Sequence, residues 1–177
     1  MIISISGTPG SGKTTLANFL SGKLRMKEYL VGEMVRKIAE KKGISIVALD
    51  KKAVSDRAID REIDKIHLKL KNKDNFIIDS RVAFKFFPKS LKIFLYCSPA
   101  VAAKRIFESK RETERMNLKK TLQEVRQRNR LDRLRYKKYY GIDLDYAGNY
   151  DIIVDTSRMI INEMCNTILK AAEKFRN

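Results

Sequence analysis

Apolar residues recur along this chain in two alternating rhythms. Short runs that are almost wholly apolar or β-branched, Ile2 to Ser6, Tyr29-Leu30, Phe76 to Asp79, Lys92 to Cys97 and Ile152 to Asp155, predict strands buried on both faces. Between them the apolar positions shift to the three-and-four spacing of helices. That spacing covers Lys13 to Met26, Gly32 to Lys42, one long stretch near Val47 to Lys71, Pro99 to Lys110, Leu118 to Tyr139 and Ile160 to Phe175. Strands and helices alternate without an internal repeat. The expected fold class is therefore α/β, a doubly wound five-stranded parallel sheet with helices on both faces and its ligand at the carboxyl ends of the strands. The 177 residues suit one domain, 1–177.

The first strand runs directly into Gly7-Thr8-Pro9-Gly10-Ser11-Gly12-Lys13-Thr14-Thr15, a complete G-x-x-x-x-G-K-[ST] phosphate cradle. Phosphates need backbone N–H groups aimed at them, a mobile cation and a hydroxyl for Mg²⁺. The glycines let the backbone close in, and Lys13 and Thr14 supply the other two. A glycine-rich turn that merely precedes a helix leaves Gly12-Lys13-Thr14 at the helix start unexplained by packing. The fold class thus narrows to a P-loop NTPase.

Composition adds a charge question. The formal net charge is +17, and from Lys104 to Lys138 there are 14 Lys or Arg against 5 acids, a net of +9 in about a fifth of the chain. A polyanionic small ligand, a nucleic acid or a solvated basic surface all fit that concentration. Few aromatics interleave with the basic run before Tyr136, a poor arrangement for stacking single strands, so a nucleic-acid partner is not expected. No apolar run approaches the roughly 20 residues that span a bilayer, and no leader-like segment opens the chain; a cytoplasmic protein is expected. Cys97 and Cys165 have no metal-type spacing and are given no chemistry.

Candidate site residues cluster just after the strands. Asp79 ends the third strand and Ser80-Arg81 follow, putting an acid and a guanidinium on the rim where the cradle opens. The acid suits Mg²⁺ and its waters, and the arginine suits a phosphate; an N-cap for the next helix is the alternative for Asp79 or Ser80. Arg36 lies about one turn into the helix after the second strand. In the long helix from Leu118, the apolar stripe Leu118, Leu122, Val125 turns polar at Asn129 and Asp132 before Tyr136 and Tyr139. Arg128, Asp132 and Arg135 share that side, with Asp132 expected to orient both guanidiniums toward a ligand.

Taken together, the chain resembles the nucleoside monophosphate kinases, and most closely the compact archaeal-type cytidylate kinases. The resemblance runs through the cradle, Gly32-Glu33-Met34-Val35-Arg36, Ile59-Asp60-Arg61-Glu62-Ile63-Asp64 and Asp79-Ser80-Arg81. It continues through Arg135-Tyr136-Lys137-Lys138-Tyr139-Tyr140-Gly141-Ile142-Asp143 to Asp155-Thr156. It implies a monomeric enzyme that moves the γ-phosphoryl of ATP, with Mg²⁺, onto the small-molecule substrate CMP or dCMP. Lys13 would bridge the β- and γ-phosphates, Thr14 and Asp79 would serve the metal, and Arg36 and Arg81 would grip the acceptor phosphate. Arg128 and Arg135, oriented by Asp132, would approach from the other side. An acceptor-binding region falls at about 30–72 and a short polar lid at about 108–117, with Arg105 and Arg111 at the lid.

Where related kinases carry a serine before the Gly-Glu element this chain has Leu30-Val31, and Val82 follows Arg81 where bacterial relatives have an aspartate. Cytosine presents N4 donors with N3 and O2 acceptors, so a carboxylate or amide beside an arginine is wanted; Arg57, Asp60 and Asp64 are the candidates. His67, on the border of the same apolar stripe, is expected to be at the surface or partly packed. Two other readings stay open: adenylate kinase or another small-substrate P-loop kinase, and an RNA-associated assembly ATPase.

Overall fold

A computed structural model describes residues 1–109 and 117–176. Five strands, β1 (Ile2–Gly7), β2 (Lys27–Leu30), β3 (Phe76–Asp79), β4 (Leu91–Tyr96) and β5 (Ile152–Asp155), form one all-parallel sheet in the order β2-β3-β1-β4-β5. The connecting helices are α1 (Lys13–Leu24), α2 (Val31–Lys41), α3 (Ile46–Ser55), α4 (Ala58–Leu70), α5 (Ala83–Phe86), α6 (Pro99–Glu108), α7 (Leu118–Tyr140) and α8 (Ile161–Arg176). β1 therefore has a neighbour on each side, and the loop leaving its carboxyl end sits at the centre of the sheet's upper edge, the switch point where α/β folds bind ligands.

Alternation along the strands sends side chains to two cores. Ile3, Ile5, Ile77, Ile93 and Leu95 pack against α1 and α8 through Leu16, Leu20, Met164 and Ile168. Phe76 and Ile78 face the other way, against Leu49, Ile59 and Ile63 of α3 and α4. Each fully buried Ile or Leu contributes about 1.5–3 kcal/mol, which holds the central strands between the two helix layers. The edge strands expected to be buried on both faces are not, since Lys27 of β2 and Ile153 and Asp155 of β5 are exposed where the helix layers end, while β1 at the centre is buried and mainly apolar. Ser4 and Ser6 are the exceptions on β1; their hydroxyls are satisfied by Ser90 Oγ at 2.8 Å and the Ser80 carbonyl at 2.9 Å.

The stretch expected as one helix from Val47 to Lys71 is two. Ser45 Oγ accepts the Ala48 N–H at 3.1 Å to start α3, and Asp56, extended at φ −118°, ends it and accepts the Ala58 N–H at 2.8 Å to start α4. Asp56-Arg57 supplies a start signal inside continuous apolar periodicity, which periodicity alone conceals. The short α5 was not expected, and neither Asp79 nor Ser80 caps it, its N-cap position being Val82 with no side-chain bond. His67, expected at or near the surface, is fully buried. Its Nδ1 lies 3.1 Å from the Ile63 carbonyl, its Nε2 lies 2.8 Å from Ser80 Oγ, and its ring stacks on Phe86 at 4.5 Å.

Candidate active site

The cradle closes because its glycines have no Cβ. Gly7 has φ +143°, and a Cβ there would lie 1.9 Å from the Leu95 carbonyl oxygen; Gly10, at φ +71°, would collide with the Ala102 backbone at 2.8 Å. The loop is pinned to its neighbours by Thr8 N–H to the Leu95 carbonyl at 3.0 Å and by the Cys97 N–H to Thr8 Oγ1 at 3.3 Å. Gly12, also left-handed at φ +94°, is the N-cap position of α1, whose first turn has no acidic side chain to occupy the dipole's positive end. Lys13 Nζ donates to the Thr8 carbonyl at 2.7 Å, so the ammonium lies back across the loop. Burial, reinforced by the Arg81 guanidinium, draws its pKa down to about 7, with Asp79 pulling the other way.

Two side chains at the carboxyl end of β3, Asp79 and Arg81, reach the same place. Thr14 Oγ1 donates to Asp79 Oδ2 at 3.0 Å, bringing a hydroxyl and a carboxylate together beneath the cradle. Arg81 donates from Nε to Asp132 Oδ2 at 2.8 Å and from Nη1 to the Gly7 carbonyl at 2.5 Å, tying the end of β3 to both α7 and the loop. Burial would raise the Asp132 carboxyl, but the Arg81, Arg135 and Arg128 guanidiniums outweigh it and hold it below the usual range.

The arginines of α7 are held differently from the expectation. Asp132 pairs with Arg81, whereas Arg128 Nε donates to Asp50 Oδ2 at 3.1 Å and Arg135 Nη1 lies 3.6 Å from Asp50 Oδ1. Asp132 sits between Arg128 and Arg135 on one helical side, but α3 packs alongside and brings a second acid, so each carboxylate takes the guanidinium its element faces. Asp50 was not a candidate from sequence. The signal existed: Val47, Asp50 and Ala53 are spaced i, i+3, i+6, so an acid interrupts an apolar stripe as Asp132 does in α7. Burial raises the Asp50 carboxyl despite Arg128 beside it.

Behind Arg135 lies a second polar layer. Arg135 Nε is 3.4 Å from Asp60 Oδ1, its Nη2 donates to the Tyr136 hydroxyl, and Tyr140 donates to Asp64 at 2.7 Å and to Asp60 at 3.3 Å. Burial pushes Tyr136 up to about 12, so the phenol is a neutral partner. Asp60 and Asp64 are thus engaged with Tyr140 and Arg135 and do not line the cleft. Arg57 is exposed over the Tyr139 ring, 5.8 Å from its centroid, and does not line the cleft either.

A cleft of about 430 Å³, within the range of small-molecule sites, is lined by the cradle from Pro9 to Thr15 and by Arg36, Asp50, Asp79, Arg81, Arg105, Arg128, Asp132 and Arg135. Gly7 and Thr8 of the cradle do not line it. Val31, Val35, Ile46 and Ile63 form an apolar wall on the α2–α4 side. Arg105 lines the opposite side, its Nη2 donating to the Thr156 carbonyl at 2.7 Å. Arg111 and most of the expected lid, 110–116, fall outside the described residues. Among the described residues the cleft's formal charge is six cations against four carboxylates, Glu108 included. The arrangement has surplus positive charge, amide donors and a hard-oxygen pair, which suits polyanionic phosphates and a small divalent cation.

Among the described residues no helix is long and apolar enough to cross a membrane. The sequence profile of the AAA domain family matches residues 3–140. A cytidylate kinase of Methanococcoides burtonii is 32% identical, covering 99% of this chain and all of the relative. That of Methanothrix thermoacetophila is 39% identical over 89% of this chain and 90% of the relative. Among solved structures, the shikimate kinase of Acinetobacter baumannii superposes with a TM-score of 0.62 at 16% identity, covering 98% of this chain and 93% of that one, a likeness in P-loop fold. Full-length similarity of this kind, on a chain whose cradle and arginines converge in one cleft, places the protein in the cytidylate kinase family.

Proposed function

We propose that this chain transfers the γ-phosphoryl group of ATP to the phosphate of CMP or dCMP, giving ADP and the corresponding diphosphate. The observation that carries the reading is that Lys13, Arg36, Arg81, Arg128 and Arg135, drawn from three separate helices and the β3 exit, all line the cleft that the cradle opens into. Two polyanions must be brought together in line, so the enzyme's contribution is positioning and charge neutralisation. The acceptor phosphate oxygen attacks the γ-phosphorus as the bond to the ADP oxygen breaks. No general base is required, because the acceptor is already an anion.

In this reading the cradle amides and Lys13 hold the β- and γ-phosphates, and Arg36 and Arg81 hold the acceptor phosphate. Arg135 neutralises charge from the α7 side, Arg128 lines the same side against Asp50, and Arg105 borders the ATP side. Thr14 Oγ1 and Asp79 Oδ2, hard oxygens 3.0 Å apart, fit the donor chemistry of Mg²⁺, which when bound there screens the phosphate charge. Release of ADP in a coupled assay with CMP, dCMP, UMP, AMP or no acceptor tests the proposal. A rate that depends on a cytidine monophosphate is expected. ATP turnover that ignores the acceptor and responds to RNA with a steep salt dependence overturns it.

A further inference from the structure

We propose that Asp50 determines base specificity, its carboxylate accepting a hydrogen bond from the 4-amino group of the acceptor cytosine while the neighbouring guanidinium of Arg128 donates to the ring. This rests on the reading of the cleft as a cytidine monophosphate kinase site.

A flat nucleobase needs an apolar wall, and the cleft has one: Val31 and Val35 from α2, Ile46 from α3 and Ile63 from α4. Ile46 and Asp50 stand at i and i+4 on α3, so the acid tops the same wall one turn further along. The other described carboxylates of the cleft are placed or engaged elsewhere. Asp79 is bonded to Thr14 at the cradle, Asp132 is bonded to Arg81, and Glu108 ends α6, the helix that carries Arg105 on the opposite side. Asp60 and Asp64, the carboxylates the sequence offered for the base, answer to Tyr140 outside the cleft.

The bonding capacity of Asp50 also fits. Arg128 Nε takes one site on Oδ2 and Arg135 Nη1 approaches Oδ1, which fixes the carboxylate on its wall and leaves lone pairs on each oxygen. Arg128, with five N–H donors, has bonded one of them to Asp50. An acceptor beside a donor is the complement of cytosine, whose N4–H donor sits beside the N3 acceptor. Uracil reverses both: O4 would face the carboxylate and N3–H the guanidinium, two repulsions in a buried place.

The test compares kcat/KM for CMP, for UMP and for the 5′-monophosphate of 2-pyrimidinone riboside, which lacks the 4-amino group, in the full chain and in Asp50→Asn. A site that hydrogen-bonds a substrate amine rejects analogues without it strongly, so the unaltered chain is expected to prefer CMP at least ~100-fold over both. In Asp50→Asn the CMP-to-UMP ratio is expected to fall at least ~10-fold, because the amide offers both a donor and an acceptor, with the KM for ATP unchanged. An unaltered chain that uses the des-amino analogue as well as CMP overturns the inference whatever the variant does. So does a variant that loses CMP and UMP activity in parallel at constant ratio, which marks Asp50 as only a holder of Arg128. If Asp50→Asn does not fold, Asp50→Ser serves, and the analogue comparison stands without either. Absence of any pyrimidine-dependent ADP release would instead sink the kinase reading itself.

Discussion

Arg81 and Asp132, 51 positions apart, meet Nε to Oδ2 at 2.8 Å and fasten the exit of β3 to the middle of α7. Both are largely buried, so the pair positions a guanidinium that solvent would otherwise leave free to roam. Asp132→Asn removes the charge and keeps the shape. Stranding a buried guanidinium is expected to cost about 3–5 kcal/mol in unfolding free energy. Turnover is expected to fall at least ~100-fold, the same order as Arg81→Ala, because both changes remove fixed positive charge from the transfer site. Denaturant melts and the coupled assay on both variants check this; near-normal turnover in Arg81→Ala would take that arginine out of the site.

Lys13 is expected to gain a proton when nucleotide binds. Its folded pKa of about 7 reflects burial and Arg81, and phosphate oxygens beside the ammonium favour the charged form. Calorimetry in buffers of different ionisation enthalpy is expected to show close to one proton taken up per ATP at about pH 8.5, declining toward none near pH 6. Lys13→Met should remove the uptake, and Lys13→Ala should abolish turnover. Equal proton uptake in the unaltered chain and Lys13→Met would show that the ammonium does not meet the phosphates.

Gly7→Ala and Gly22→Ala should have opposite signs. A Cβ at Gly7 meets the Leu95 carbonyl oxygen at 1.9 Å with φ at +143°, whereas one at Gly22, inside α1, meets nothing within 4 Å. Backbone strain plus overpacking is expected to cost roughly 3–5 kcal/mol at Gly7. Replacing a helix-interior glycine is expected to stabilise by up to ~1 kcal/mol at Gly22. Urea titrations of the two variants give the comparison directly.

The sheet was legible because five short apolar runs are separated by helical periodicity, and because Gly7 to Thr15 dictates a strand, loop and helix order around itself. The convergence of Arg81, Arg128 and Arg135 was legible for a related reason: positions just after strands and polar breaks in apolar stripes must face something other than core. What sequence spacing cannot assign is which acid takes which arginine. Asp132 looked like the partner of Arg128 and Arg135 because it shares their helix face, yet α3 delivers Asp50 across a tertiary contact 78 positions away in sequence. Asp60 and Asp64 misled in the converse way. Their spacing puts both carboxylates on one helix face, and only the fold shows that Tyr140 stands there before any ligand does.

His67 is expected to make the protein lose stability as acidity rises. Its Nδ1 faces the Ile63 carbonyl, which only accepts, so Nδ1 carries the hydrogen and Nε2 accepts from the Ser80 hydroxyl. Burial lowers the ring's pKa from 6.5 to about 4, against the opposing pull of the Ile63 carbonyl. Between those values the unfolded chain binds a proton that the folded chain refuses, so unfolding becomes easier as pH falls through that window. The full drop corresponds to roughly 3 kcal/mol, and above pH 6.5 the contribution is wholly retained. Because carboxylates also titrate there, the decisive quantity is the difference between the unaltered chain and His67→Gln in urea titrations across the window. That difference should shrink steadily toward pH 4, since glutamine keeps a donor and an acceptor but takes no proton. Parallel curves would mean that His67 takes up its proton as readily in the fold as in the unfolded chain and that the Ser80 hydroxyl, one residue before Arg81, is held by something else.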